Sequence, residues 1–309
     1  MKISSYANTN EPNLYQHCLP VKTHDSTVDL NIVFEDTDQA GNTLTRGTVI
    51  MTHGSPGSHK DFKYITPQLT KFGIRSIGVN WPGLGYSSND KRLQHTNDER
   101  GQLVQGLVDT LELRQNLVFM GHSRGSEDAL RRAAFNKDKT AAVVLVNPIG
   151  FSHHKGVRPF WSIQVVSWIW KSSAIFQKIL APLLYLRRDV AGNCLMTMSN
   201  TDFGKQKEFI KQLQQGDTSA VIVYSGKDHL VEPEKSQELV SYFDDIKQLT
   251  CTTELDDANI IEEAKKELNA GRRYLSVFSK RKSFLQKHRA VFLAEIISTI
   301  YRIKVECEY

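Results

Sequence analysis

Four short stretches of the chain are apolar almost throughout: Thr48–Thr52, Ile74–Asn80, Leu117–Met120 and Ala142–Val146. Runs this short and this continuous read as strands buried on both faces. Helical stretches lie between them. Lys60–Lys71 is one. A second opens at Thr96-Asn97-Asp98-Glu99, which has capping-box spacing, and carries Leu103, Leu107 and Leu111 at i, i+4 and i+8. A third begins after residue 125. Strand and helix in alternation predict a parallel sheet covered by helices on both faces. Upstream, Val28–Phe34 alternates apolar and polar residues as a half-exposed edge strand does. Residues 1–20 read as an irregular lead-in, and Asp36–Thr45 as a turn.

The pattern changes between residues 150 and 219. Trp161, Trp168 and Trp170 cluster there with Ile163, Val165, Val166, Ile169, Ile175, Phe176, Ile179, Leu183 and Leu184. This predicts an aromatic-rich helical insertion that caps the sheet edge over an apolar pocket. The lesser alternative is a helix pair lying on a membrane surface. Lys171, Lys178 and Pro182 break the stretch, so it is a poor transmembrane span. His153 and His154 stand at its entrance and read as surface or hinge residues. The sheet resumes at Ala220–Tyr224, followed by a helix over Pro233–Tyr242. Lys247–Gly271 is charged and helix-like. Arg273–Ser279 is a last strand and Phe284–Ile300 a closing helix. The expected organisation is a core in two parts, 1–149 and 220–309, with a helical cap inserted at 150–219.

Composition narrows the function classes. The chain has 309 residues, 40% hydrophobic and 24% charged, with net charge +5. This is ordinary for a globular protein, and so mild a charge does not argue for nucleic acid. Arg272–Arg289 is the densest basic stretch and reads as a solvated face. Cys18, Cys194, Cys251 and Cys307 are far apart, so neither a disulfide framework nor a zinc site follows. No Walker A motif, dinucleotide-binding glycine loop or cluster of metal ligands is present, so the expectation is no cofactor and no metal. The first residues hold no apolar signal core, which makes a cytoplasmic location the default expectation.

Candidate chemistry centres on Leu117–Leu130, LVFMGHSRGSEDAL. It places Gly121-His122-Ser123-Arg124-Gly125, a G-x-S-x-G motif, between a strand and a helix. A serine on so sharp a turn needs small residues two positions away on either side, here Gly121 and Gly125. Its Oγ then projects from the carboxyl edge of the sheet, as a nucleophile. The main-chain N–H of Arg124 is left to face an oxyanion. The strand Thr48–Thr52 runs into His53-Gly54-Ser55-Pro56, which supplies Ser55 N–H as the second oxyanion donor. Asp228 follows the strand Ala220–Tyr224 and is placed to act as the acid that orients an imidazole.

Together these segments resemble the α/β-hydrolase superfamily over nearly the whole chain: HGSPGSHKDF, GVNWPGLGYSS, GHSRG, the insertion after NPIG, and YSGKDHLV. HGSPGSHKDFKYITPQL, GHSRGSEDAL, YSGKDHLVE and FLQKHRA are similar to an uncharacterised branch of it. The resemblance implies a mostly parallel, eight-stranded α/β sheet with helices on both faces, a helical cap, and hydrolysis through a serine. Epoxide-hydrolase and dehalogenase relatives carry an aspartate at the elbow. Ser123 therefore implies cleavage of a small apolar ester or amide through an acyl-enzyme.

The resemblance also places the triad histidine just before F-L-Q-K, where this chain has Ser283. His288 is the only histidine after His229. Inside a helix starting at Phe284 it would lie about 7.5 Å along the axis from residue 283, whereas a base must come within about 3 Å of its proton. His122 and His229 read as packing or hydrogen-bonding residues. Loss of a triad member costs about four to six orders of magnitude in turnover. Two readings follow. One is a serine hydrolase with Ser123 as nucleophile, Asp228 as acid and His288 as base. The other is a catalytically impaired protein of this fold that binds a small apolar ligand or a partner.

Overall fold

A computed structural model describes residues 3–41, 43–183, 188–252, 256–280, 284–287 and 289–306. The chain opens with β1 (Ser4–Ser5), β2 (Leu14–Lys22) and β3 (Thr27–Asp36). Then come β4 (Thr48–Thr52), α1 (Thr66–Lys71), β5 (Arg75–Val79) and α2 (Asn97–Thr110). The elbow region holds β6 (Leu117–His122) and α3 (Gly125–Phe135), followed by β7 (Thr140–Val146). Four helices follow: α4 (Phe160–Ser172), α5 (Ala174–Leu183), α6 (Arg188–Ser199) and α7 (Gln206–Gln214). The chain then gives β8 (Ser219–Ser225), α8 (Pro233–Val240), β9 (Lys247–Cys251) and α9 (Asp256–Asn269). It closes with β10 (Tyr274–Ser279) and α10 (Ala290–Glu306).

The strands form one sheet in the order β1-β2-β3-β5-β4-β6-β7-β8-β10-β9. Pairing is antiparallel from β1 to β5 and parallel from β5 to β9. The continuous apolar runs are explained by two cores. Ile50, Phe119, Val143 and Leu145 point to one face, under α2, α3, α7 and α8. Val49, Met51, Val118, Met120 and Val144 point to the other, under α1, α9 and α10. Alternate residues of each strand thus enter different cores, and neither face can be polar.

Several expectations change. The sheet has ten strands among the described residues, not eight, because β1 and β9 extend its two edges. The lead-in contains β2, which pairs with β3 along its whole length. Val28–Phe34 is therefore inside the sheet and not at its edge; its alternation reflects one solvated face. Lys60–Lys71 is broken into a single turn at His59–Phe62 and α1. Lys247–Gly271 supplies a strand as well as a helix. The closing helix starts at Ala290, six residues later than expected. The last helix before β8, α7, sends Phe209, Ile210 and Leu213 into the core shared with α3. It belongs to the helical cover of the sheet.

The antiparallel and parallel halves of the sheet meet at a buried ion pair. Asp36 ends β3 and receives Arg75 Nε and Nη2 of β5 at 2.8 and 2.6 Å. Asp36 is fully buried. Removing one partner leaves an uncompensated buried charge. Asp36→Ala is expected to lower stability by about 3–5 kcal/mol in urea unfolding; a loss below about 1 kcal/mol would mean that Arg75 finds solvent or another acceptor.

Candidate active site

Strand order reverses between β4 and β6: the chain leaves β4 for β5 on one side and returns to β6 on the other. Loops at such a switch point diverge and leave a crevice at the carboxyl ends of the strands. Thr52 pairs with Gly121, which brings His53-Gly54 alongside His122-Ser123. Ser123 has φ +51°, in the left-handed region that costs a non-glycine residue about 1–3 kcal/mol. Its N–H donates to Val146 O at 2.9 Å, and Ser126 Oγ donates to its carbonyl at 2.6 Å.

The glycines hold this conformation by leaving no room. A Cβ on Gly121 would stand 2.4 Å from Gly125 O, and one on Gly125 would stand 2.2 Å from Thr52 O. Gly54 serves the same end across the crevice, since a Cβ there would be 3.1 Å from Ser123 Cβ. Among the described residues, neither Ser55 N–H nor Arg124 N–H donates a hydrogen bond. The side chain of Arg124 leaves the crevice and is buried beneath it. His53 is buried too. Burial pushes its imidazole down to about 4, so it is neutral near neutral pH. Its Nδ1 lies 2.8 Å from Gly54 O and its Nε2 accepts from Trp81 N–H at 3.4 Å. That makes His53 a brace for the loop.

Asp228 lies in the loop after β8, half-buried. Leu230 N–H and Val231 N–H donate to its Oδ1 at 2.9 and 3.0 Å, and Asn147 Nδ2 donates to its Oδ2 at 2.9 Å. Asn147 follows β7 with φ +47°. A cleft of about 640 Å³ joins Asp228 and Asn147 to His122, Asp61, Leu285 and Gln286. In it, His122 Nδ1 stands 3.7 Å from Asp61 Oδ2. Burial raises the Asp61 carboxyl, but the His122 and His53 imidazoles outweigh it and hold the group below its ordinary range.

Ser123 and the loop of Ser55 are thus brought together, with Asp228 sharing the cleft of the elbow residue His122. Among the described residues, no imidazole is hydrogen-bonded to Ser123 or Asp228. His229 is exposed. His154 is buried, not at the surface, with Nδ1 3.0 Å from Leu230 O. Ser283 and His288 both lie outside the described residues. Asp61 carries no sequence signal for the site, whereas Asn147 is marked by its place after β7, on the carboxyl edge of the sheet. Ser58-x-x-Asp61 does have capping-box spacing, and both halves of that box form.

A family described as α/β hydrolases of unknown function (DUF1057) matches residues 11–302. The chain belongs to this family. An uncharacterized protein of Caenorhabditis elegans is 29% identical over 91% of this chain and 87% of its own length. The AB hydrolase superfamily protein YisY of Bacillus subtilis is 35% identical over 28% of this chain and 31% of its own. Among solved structures, a thermophilic esterase from Thermogutta terrifontis superposes with TM-score 0.59 at 14% identity, covering 94% of this chain and 98% of the esterase. A meta-cleavage product hydrolase from Pseudomonas fluorescens gives 0.57 at 17% identity, covering 92% and 97%. At such identities the likeness shows the fold alone.

Beneath the elbow of this α/β hydrolase lies a charge network that composition does not reveal. Arg100, Arg124, Glu127 and Asp128 are all buried. Arg100 reaches Asp128 through Nε and Nη2 and lies 3.8 Å from the centre of the Trp81 ring. Arg124 Nη1 is 2.9 Å from Glu127 Oε2, and Nη2 donates to Asn97 Oδ1. The network also grips the insertion: Arg124 Nε donates to Thr197 O, and Asp202 N–H to Glu127 Oε1. Burial raises the Asp128 carboxyl, but the two guanidiniums outweigh it and hold it below its ordinary range. Glu127 goes the other way, pushed up to about 7 by burial despite Arg124, with Asp128 adding to the rise.

Two outcomes are expected. Gly125→Ala drives a methyl into the Thr52 carbonyl and lowers stability by about 3 kcal/mol or more, measured by denaturant unfolding; a loss below about 1 kcal/mol would mean that the α3–β4 contact opens freely. Between pH 4.5 and about 7 the folded protein holds a proton on Glu127 that the unfolded chain has released. The contribution of this carboxyl is therefore greatest below pH 4.5 and falls as pH rises to about 7. The stability of the wild type minus that of Glu127→Gln should fall over that window, and a flat difference would show that Glu127 ionises normally.

Proposed function

We propose that this α/β hydrolase is a serine hydrolase that cleaves a small apolar ester or amide through an acyl-Ser123 intermediate. The strained backbone of Ser123, at φ +51° between two glycines that admit no Cβ, is the observation that carries this reading. Strain of this kind is kept where it has a use. Ser123 Oγ attacks the carbonyl carbon, and the N–H groups of Ser55 and Arg124 receive the oxyanion. A hollow of about 560 Å³ beside Pro56 and Gly57, walled by Leu84, Tyr86 and Val190 of the insertion, is of a size for a small acyl or leaving group. The insertion acts as the cap.

The base in this reading is His288. No helix begins at Phe284: α10 starts at Ala290 and 284–287 is a loop. Leu285 and Gln286 of that loop line the same cleft as Asp228. The carboxylate of Asp228 has about four acceptor sites; among the described residues three are taken by Leu230 N–H, Val231 N–H and Asn147 Nδ2, which leaves one for an imidazole N–H. Oriented by Asp228, His288 takes the proton of Ser123 and returns it to the leaving group.

A fluorophosphonate probe should label the wild type, and Ser123→Ala should abolish labelling. His288→Ala should slow it by a thousandfold or more, about the scale of losing a base. Labelling that survives Ser123→Ala would overturn the nucleophile assignment; undiminished labelling of His288→Ala would overturn the base. The second reading, a catalytically impaired protein that binds an apolar ligand or a partner, draws on Ser283 and on the three donors already held by Asp228. It predicts a folded wild type that does not label and a Ser283→His variant that does.

A further inference from the structure

The helix α4 divides its apolar residues between two faces. On α4, Ile163, Val166 and Trp170 turn inward and pack against Ala191 and Leu195 of α6. The approach there is close: a Cβ on Gly192 would meet Trp170 Nε1 at 2.4 Å. The inner face is therefore complete. Trp161, Val165 and Trp168 lie on the opposite face at i, i+4 and i+7, and all three are exposed. Ile175, Phe176 and Ile179 of α5 are exposed as well. Trp168 is 69% and Ile175 72% exposed, so neither is packed into the described residues.

Charge selects the occupant. From Thr140 to Arg188 the sequence contains no aspartate or glutamate, yet it holds Lys155, Arg158, Lys171, Lys178, Arg187 and Arg188. Arg158 is paired with Glu232 of the core. Lys171 and Lys178 are exposed on the same two helices as the apolar residues. Neither helix is long enough to cross a bilayer: α4 has 13 residues and α5 has 10. Among the described residues, no helix is long and apolar enough to do so. Short helices with tryptophan and aliphatic residues on one side, flanked by lysines and free of acids, lie in the plane of an anionic interface.

We infer that the α4–α5 face, through Trp161, Trp168, Ile175, Phe176 and Ile179 with Lys171 and Lys178 beside them, docks this protein on an anionic phospholipid bilayer. The inference is independent of whether Ser123 turns over a substrate. The tryptophans would sit at headgroup depth, and the lysine ammonium groups would meet lipid phosphate and carboxylate.

Vesicle co-flotation of the full chain tests this. Vesicles of phosphatidylcholine with phosphatidylserine should carry the protein, and phosphatidylcholine alone should carry about tenfold less or lower still. The combined variant Trp161→Gln, Trp168→Gln, Ile175→Gln should lose about tenfold or more in partitioning. Lys171→Glu with Lys178→Glu should lose the preference for phosphatidylserine. All five side chains are exposed or flank exposed ones, so circular dichroism and thermal melting should match the wild type. Absence of flotation on phosphatidylserine vesicles overturns the inference, as does equal partitioning of the apolar variant. Equal binding to both vesicle types overturns the charge selection. A wild type that is dimeric without lipid and becomes monomeric in the apolar variant assigns the face to a second copy of the chain and overturns it too.

Discussion

The first turn of α3 sits so close to the end of β4 that no side chain fits between them. Gly125 meets the Thr52 carbonyl where a Cβ would stand 2.2 Å away, and Thr52 Oγ1 donates to Gly125 O at 2.9 Å. Once that contact is made, the chain has two residues in which to leave β6 and enter the helix. Ser123 takes the left-handed conformation because no other path closes the turn. Its N–H stays with β7 through Val146 O, while the next amide, at Arg124, points away from the sheet. The left-handed turn at Ser123 and the direction of α3 both follow from one missing methyl group. The strain is local, and it is offset by the two cores on either side of β6.

Fixing the start of α3 also decides where Arg124, Glu127 and Asp128 go. Positions 124, 127 and 128 lie at i, i+3 and i+4, on one face of the helix, and that face turns inward toward α2. Burying four charged groups there is costly, and an apolar replacement of the same volume is often no worse for stability. What an apolar cluster does not offer is direction. Asn97 from α2 meets both Glu127 and Arg124, Arg100 meets Asp128, and the backbone of residues 197 and 202 meets Arg124 and Glu127. Residues 197 and 202, between β7 and β8, are thereby tied to α3. Glu127 is the soft member: burial keeps its carboxyl near 7, so the net charge beneath the elbow changes close to neutrality.

The sharp turn at Ser123, the loop of Ser55 beside it and the place of Asp228 after β8 were legible in the sequence because each rests on short-range sterics or on chain order. Gly121 and Gly125 flank Ser123 at fixed spacing, and Asp228 follows an unmistakable buried strand. β2 was not legible, since Pro20 and polar residues interrupt its run. The structure explains why Pro20 is tolerated: β1 covers β2 only at Tyr15 and Gln16, so the outer edge at Pro20 carries no ladder. β9 is half-exposed at the other edge, and its polar residues hide it inside a charged stretch. The buried network was invisible for a different reason. Arg100, Arg124, Glu127 and Asp128 look like the solvated face of ordinary helices, and only tertiary packing makes them core.

Phe284–Ile300 misleads in the same way. Phe284 and Leu285 read as the first apolar positions of a helix, whereas Phe284 is drawn in by the core, its ring tilted at 52° to that of Phe292 with centroids 5.3 Å apart. Five residues on, Arg289 is fully buried, with its guanidinium over the Phe284 ring and donating to Ser279 at the end of β10. Two buried anchors therefore bracket a segment too short to wander far, and between them Leu285 and Gln286 face the cleft of Asp228. This loop geometry does not depend on a histidine at position 283. Packing alone, through Phe284 and Arg289, brings Leu285 and Gln286 beside Asp228.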